Sequence, residues 1–312
     1  MSSLSLGNLT QPSSLDNTTK IIAVTTLVLI VLFFVMFFLW GAIIIHVYFT
    51  TSRLRETARY LLFIHMLFND ALYLLISFFI FLSALYNVYM LLPVCFAITT
   101  FTSSSFRVTP YNLAIMSVER YIAICFPLRH GETCSVRWCN CMIVIMWALG
   151  LVPAAVDFIC MNFYVDTSFY SLNIKCNWIT FLKSDVQSTI RSLVQIVSFT
   201  MVGLIILYTY VKVMLVVRNI QSTDKSSAVK AGKTVLLHAF QLFLCMMSFS
   251  SIFTDLYLRN NYSFIPILNY FFFTCIPRFI SPLIYGIRDE VFRKYIQSLF
   301  TFVCLKGQVS SK

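Results

Sequence analysis

Apolar residues in this chain neither alternate with polar ones nor form the narrow stripe of an amphipathic surface helix. They run in seven long blocks, roughly Ile21–Phe49, Tyr60–Tyr86, Cys95–Ile124, Cys139–Cys160, Thr189–Val217, Thr234–Leu258 and Ile265–Ile287. About 20 helical residues cross a hydrocarbon core of about 30 Å, so each block predicts one membrane-spanning α-helix. The blocks are too long for the roughly 10-residue alternating strands of an outer-membrane barrel. The expected fold is an all-α membrane protein: a polar segment over 1–20, a seven-transmembrane helix bundle over 21–287, and a tail over 288–312 that opens with a short amphipathic helix.

Composition strengthens this reading. The 312 residues are 59% hydrophobic, 16% aromatic and 11% charged, against about 25% charged in a soluble domain. A surface made of such side chains is tolerated only by lipid. The net charge of +11 does not point to nucleic acid, because the bases lie in short clusters between apolar blocks rather than on one basic face. They orient the chain instead. Alternate gaps carry Arg53, Arg55 and Arg59, then Arg129 and Arg137, then Arg218, Lys225, Lys230 and Lys233, and the tail adds Arg288, Arg293, Lys294, Lys306 and Lys312. The other side holds Lys20, Lys175, Lys183, Arg191 and Arg259. The positive-inside rule then places the N-terminus outside the cell and the tail in the cytosol, as in a multi-pass plasma-membrane protein. The first 20 residues lack the apolar core of a cleavable signal, so the first block reads as a signal anchor. Glycosylation sequons at Asn8 and Asn17 fall in the outer segment.

Ten cysteines show no CxxC pair, and no metal site is expected. Cys95 opens the third block at its outer end and Cys176 lies in the longest outer loop, both in an oxidising compartment that permits a disulfide; Cys160 competes for the same partner.

Charges within a bilayer are costly, which makes each one a candidate functional residue. They are Asp70, Arg107, Arg278 and the neighbours Glu119 and Arg120. Helical rise sets Asp70 about 16 Å from Arg59, and Arg278 about 15 Å from Arg288, at one depth. Arg107 lies about 20 Å above Arg120. No acid shares its depth, since Asp157 and Asp255 sit near the outer boundary. Taken alone, Glu119 and Arg120 at a helix end also describe a solvated interfacial pair. An ion path through Asp70, Arg107 and Arg278 would suit a transporter, but the chain lacks repeated halves and paired broken helices. No nucleophile and base set or metal cluster suggests an enzyme, and no cofactor is expected.

Met116-Ser117-Val118-Glu119-Arg120-Tyr121-Ile122-Ala123-Ile124-Cys125-Phe126-Pro127-Leu128-Arg129-His130 resembles the MAYDRYVAICxPLRY signature of vertebrate odorant receptors, with Glu119 where most have Asp. Lys230-Ala231, Thr234 and His238 resemble the KAxxTxxxH frame that opens their sixth helix. Ser281-Pro282-Leu283-Ile284-Tyr285-Gly286-Ile287-Arg288 resembles the NPxIYxxR ending of their seventh. The wider family is the rhodopsin-like (class A) G-protein-coupled receptors. The run Tyr60-Leu61-Leu62-Phe63-Ile64-His65-Met66-Leu67-Phe68-Asn69-Asp70, with Glu119, is most similar to odorant receptors of bony fish. Departures are Gly41-Ala42 for the usual Gly-Asn, Ser281 for Asn, and Met246 at a switch position normally Tyr or Trp.

The resemblance implies a receptor that takes a small-molecule odorant in its outer half and activates a heterotrimeric G protein of the olfactory, stimulatory type, raising cAMP. Membrane lipid surrounds it. Rivals are a receptor for an endogenous peptide or lipid and, further off, a transporter. The implied activation residues are Glu119, Arg120, Tyr121, Tyr208, His238, Pro282 and Tyr285. The resemblance also favours Cys176 as the partner of Cys95. An apolar, aromatic cavity with few polar anchors is offered by Thr99, Thr102, Ser103, Phe106, Arg107, Phe249, Ser250, Phe253 and Phe271. Thr102 stands where an amine receptor needs a carboxylate. Arg107 is a candidate anchor for an anionic ligand group; alternatively it bonds backbone carbonyls or hydroxyls near Pro110. In such receptors the second-span aspartate commonly helps bind sodium, here with Thr109 and Ser281. Arg278 should repel the ion and form a buried pair with Asp70. The alternative is that Arg278 turns to the cavity and Asp70 keeps its ion.

Overall fold

The computed structural model describes residues 13–164, 171–177, 181, 184–219, 236, 240, 243, 244 and 265–288. The helices are α1 (Ser13–Thr50), α2 (Ser52–Arg55), α3 (Ala58–Leu85), α4 (Leu92–Cys125), α5 (Pro127–Thr133), α6 (Val136–Tyr164), α7 (Asp185–Asn219) and α8 (Ile265–Asn269). A π-turn, Tyr270–Cys275, leads from α8 into α9 (Ile276–Arg288). Six of the seven apolar blocks therefore appear as helices. The sixth block lies largely outside the described residues, as do Asn8, His238, Met246, Phe249, Ser250, Phe253, Asp255 and the tail with its expected amphipathic helix. α1 already begins at Ser13, which puts the backbone of Asn17 in a helix ahead of the apolar stretch Lys20–Thr50.

Among the described residues, four helices, Lys20–Thr50, Ala58–Leu85, Val136–Phe163 and Asp185–Val216, are long and apolar enough to cross a membrane. Their outward faces keep Val28, Val31, Leu32 and Val35 on α1, and Leu193, Ile196, Leu204 and Leu207 on α7, exposed. Water would penalise such faces; lipid does not. α4 is more polar, and the fold resolves the cost by placing it centrally against α3, α6 and α7. Its Ser104, Ser105, Arg107, Thr109, Asn112, Ser117 and Glu119 are all buried in protein. Around them pack Leu62, Phe63 and Met66 of α3, Leu113 of α4 and Met146 of α6.

One short β-ladder joins the helices. Two three-residue strands, β1 (Tyr89–Leu91) and β2 (Asn173–Lys175), pair antiparallel with Met90 opposite Ile174. α3 ends in a left-handed residue, Asn87 (φ 53°), and Val88 N–H donates to the Ser83 carbonyl at 2.8 Å. This closure turns the chain back toward the bundle. Lys175 Nζ then donates to Asn87 Oδ1 at 2.8 Å. Such brief strands carry too little periodicity to be read from sequence.

Cys95 and Cys176 are disulfide-bonded, with Cα atoms 5.4 Å apart. The bond is buried with Leu92, Met161 and Phe181, and it fixes the outer loop over α4. Cys160 is a free thiol. The bridge closes a loop of 81 residues, so losing it should cost about 2–5 kcal/mol. Cys95→Ser and Cys176→Ser should each lower the melting temperature of the purified receptor, and the double variant should fall no further than either single. Additive losses would contradict a shared bond.

Candidate functional site

At mid-depth, Arg278 of α9 pairs through Nη1 with Asp70 Oδ1 of α3, and both side chains are buried. Thr109 of α4 completes the cluster, its hydroxyl donating to Asp70 Oδ1 at 3.0 Å. It accepts from Arg278 Nη1 at 3.2 Å and from Asn69 Nδ2 at 3.1 Å, which uses its full bonding capacity. Ser105 donates to Asn69 Oδ1 at 2.8 Å. The guanidinium carbon lies 3.5 Å from the centre of the Tyr73 ring, a cation–π contact that helps replace lost hydration. The preceding π-turn holds Tyr270, whose hydroxyl is 3.0 Å from Ser77 Oγ and whose ring stacks on Phe81 at 4.7 Å. Pro282 lies inside α9, and its carbonyl accepts from Trp40 Nε1 of α1 at 3.3 Å.

Below this cluster, His65, Asn112 and Trp147 join α3, α4 and α6. Trp147 Nε1 donates to His65 Nε2 at 3.1 Å. Asn112 Nδ2 donates to the Leu62 carbonyl at 3.1 Å and stands 3.2 Å from His65 Nδ1.

At the inner end of α4, Glu119 is buried and divides its two oxygens. Oε2 lies 3.7 Å from Arg120 Nε, while Oε1 accepts from His130 Nε2 of α5 at 2.9 Å. Burial first, and the Glu119 charge second, push the nearby Cys134 thiol up to about 11, so it stays protonated. Tyr121 meets Tyr208 of α7 edge-on, ring centres 6.0 Å apart. Arg120 itself touches Glu119 rather than Tyr208. Tyr285 lies in α9.

In the outer half, the hydroxyls of Thr99, Thr102 and Ser103 bond carbonyls of their own helix, at 2.8 Å to Cys95, 2.8 Å to Ile98 and 3.1 Å to Thr100. Phe106 tilts against Phe199 of α7 and Tyr73 of α3. Phe271 turns instead to α1, meeting Phe33 edge-on at 5.1 Å, and is not brought to Phe106. Arg107 is buried between α4 and α6, its Nη1 donating to the carbonyls of Ser103 at 3.1 Å and Gly150 at 3.5 Å. Gly150 permits this approach, since a Cβ there would lie 3.1 Å from the Ser104 carbonyl oxygen. Nearby, Arg191 of α7 pairs with Asp157 Oδ2 of α6, and Gln187 Nε2 donates to Asp157 Oδ1 at 2.7 Å.

Sequence reasoning missed Asn69, Ser105, His65, Trp147 and the His130 contact to Glu119. It also missed the Asp157–Arg191 pair. A signal existed for that pair, since both residues sit near the outer ends of their spans with opposite charge.

The family model "7 transmembrane receptor (rhodopsin family)" matches residues 40–285. The chain belongs to the rhodopsin family of seven-transmembrane receptors. It is a multi-pass membrane receptor, and the family is one of receptors rather than enzymes. Odorant receptor 131-2 of Danio rerio is 28% identical over 97% of this chain and 95% of its own length. Olfactory receptor 52A5 of Homo sapiens is 26% identical over 61% of this chain and 62% of its own length.

Proposed function

We propose that this receptor is an odorant receptor that converts binding of a small molecule in its outer half into activation of a stimulatory, olfactory-type G protein and a rise in cAMP. The observation that carries the reading is α4, one helix with Thr102, Phe106 and Arg107 in its outer half and Glu119 and Arg120 at its inner end. Its similarity to an odorant receptor over nearly the whole chain supports the ligand class.

The receptor has two arrangements, and the ligand need only bind one better; a differential affinity of a few kcal/mol turns a sparse state into the dominant one. In the resting arrangement Glu119 restrains Arg120. In the active one the sixth span, entered at His238, swings outward, and Arg120 is released toward Tyr208, Tyr285 and the G protein. Tyr121 and Pro282 hold the neighbouring backbones. The ligand meets Thr102, Ser103, Phe106 and Arg107, with Thr99, Phe249, Ser250 and Phe253 around them. The N-terminus faces outside with glycans at Asn8 and Asn17, the tail faces the cytosol, and lipid covers the apolar flanks.

Cells expressing the receptor should raise cAMP when exposed to a panel of amino acids, bile acids, nucleotides and small alcohols, ketones and acids. Ligand-evoked ion or solute flux without cAMP would favour a transporter.

A further inference from the structure

We infer that the activating ligand carries a carboxylate, held by the free edge of the Arg107 guanidinium. This rests on the odorant-receptor reading and names the ligand's chemistry.

Arg107 is 4% exposed, and among the described residues it donates to two backbone carbonyls, both from Nη1. Its buried Nε has no hydrogen-bond partner among the described residues. No ion pair to Arg107 occurs among the described residues. In a guanidinium, the Nε–H and one Nη2–H point the same way and form a flat, two-donor edge. That edge matches the two oxygens of a carboxylate. Nη1 faces the other side, so a carboxylate can take this edge while the bonds to Ser103 and Gly150 stay in place.

The surrounding charges leave the same gap. Among the described residues, Arg191 and Asp157 are the charged side chains close enough to act on Arg107. Asp157 is already committed to Arg191 and Gln187, leaving the three charges with a net +1. A buried cation without a counter-charge is costly. An anionic ligand supplies the missing charge, and its binding is correspondingly favoured. Among the described residues, Ser104 Oγ of α4, three residues before Arg107, and Gln195 Nε2 of α7, one turn beyond Arg191, are also buried without partners. Both can donate to an acceptor-rich group. A neutral alcohol or ketone offers one acceptor and no charge, so it answers neither the free edge nor the net charge.

The test uses matched series on the unmodified receptor, so folding of a variant does not limit it. Straight-chain acids from butanoic to decanoic, benzoic acid and phenylacetic acid are compared with their methyl esters and with the corresponding alcohols. cAMP in cells and the melting temperature of the purified receptor are read for each. At least one acid should raise both, with its ester and alcohol at least about tenfold weaker, the difference expected for a charge-assisted hydrogen bond. Arg107→Gln should remove that preference, and Arg107→Lys should retain part of it by keeping the charge without the fork. Esters or alcohols matching the acids would overturn the carboxylate while leaving the odorant reading intact. Acids that raise the melting temperature without cAMP would support the carboxylate site and count against the coupling. Acids that move neither readout, or that act undiminished on well-expressed Arg107→Gln, would overturn the inference.

Discussion

Asp70→Asn and Arg278→Gln should each remove most of the receptor from the cell surface. In this structure the two side chains pair directly, at 1% and 5% side-chain exposure. Thr109 bonds both of them. Neutralising one partner strands the other's charge where neither water nor lipid can solvate it, at a cost of about 3–5 kcal/mol. That is a large fraction of the stability of an ordinary domain. Replacing both charges together leaves two neutral amides that can bond each other, so Asp70→Asn with Arg278→Gln should recover part of the surface level. Because the guanidinium already supplies the counter-charge, basal signalling should not respond to sodium. Surface labelling of the three variants and cAMP at varied sodium check both statements. Normal expression of either single variant would contradict the pairing, and sodium-dependent basal signalling would favour an ion at Asp70.

The second large effect separates signalling from folding. Arg120→Ala should abolish ligand-evoked cAMP while surface expression stays near normal. Arg120 is only partly covered, at 17% side-chain exposure, and its separation from Glu119 is 3.7 Å. At that distance the contact is too long for a hydrogen bond, so little stability rests on it. Glu119 also keeps its bond to His130 when Arg120 is gone. Ligand binding should survive as well, because Arg120 lies about 38 Å of helical rise from Cys95 at the outer end of α4. Surface counts and dose–response curves measured on the same cells decide the matter. Undiminished cAMP would remove Arg120 from the coupling role, and loss of surface receptor would mark it as structural.

How much of this was legible in the sequence follows from what a helix fixes. Rise per residue is constant, so block length predicts a span and position within a block predicts depth. The apolar blocks and the shared depth of Asp70 and Arg278 need nothing more. Rotation about the helix axis is set by packing, and depth does not reveal it. Asn69 adjoins Asp70, yet that neighbour alone does not show that Ser105 and Thr109 will complete a network with it. Phe271 has the depth of a ligand-facing residue, but the π-turn that holds it directs its ring to α1. The Glu119–His130 bond depends on how α5 folds back beneath α4, a tertiary choice with no periodic trace. The motifs at Glu119–Arg120 and Ser281–Arg288 were legible for another reason: their residue order matches a family pattern, and the same resemblance favoured Cys176 for the disulfide.

The central claim is that an odorant bound in the outer half drives nucleotide exchange on a G protein at the inner end. Its most direct test is guanine-nucleotide exchange on a purified stimulatory-type G protein, with the receptor in lipid nanodiscs. Exchange should rise on adding an activating odorant, fall to background with Arg120→Ala, and be absent without receptor. An odorant that raises the receptor's melting temperature yet leaves exchange at background would contradict the account.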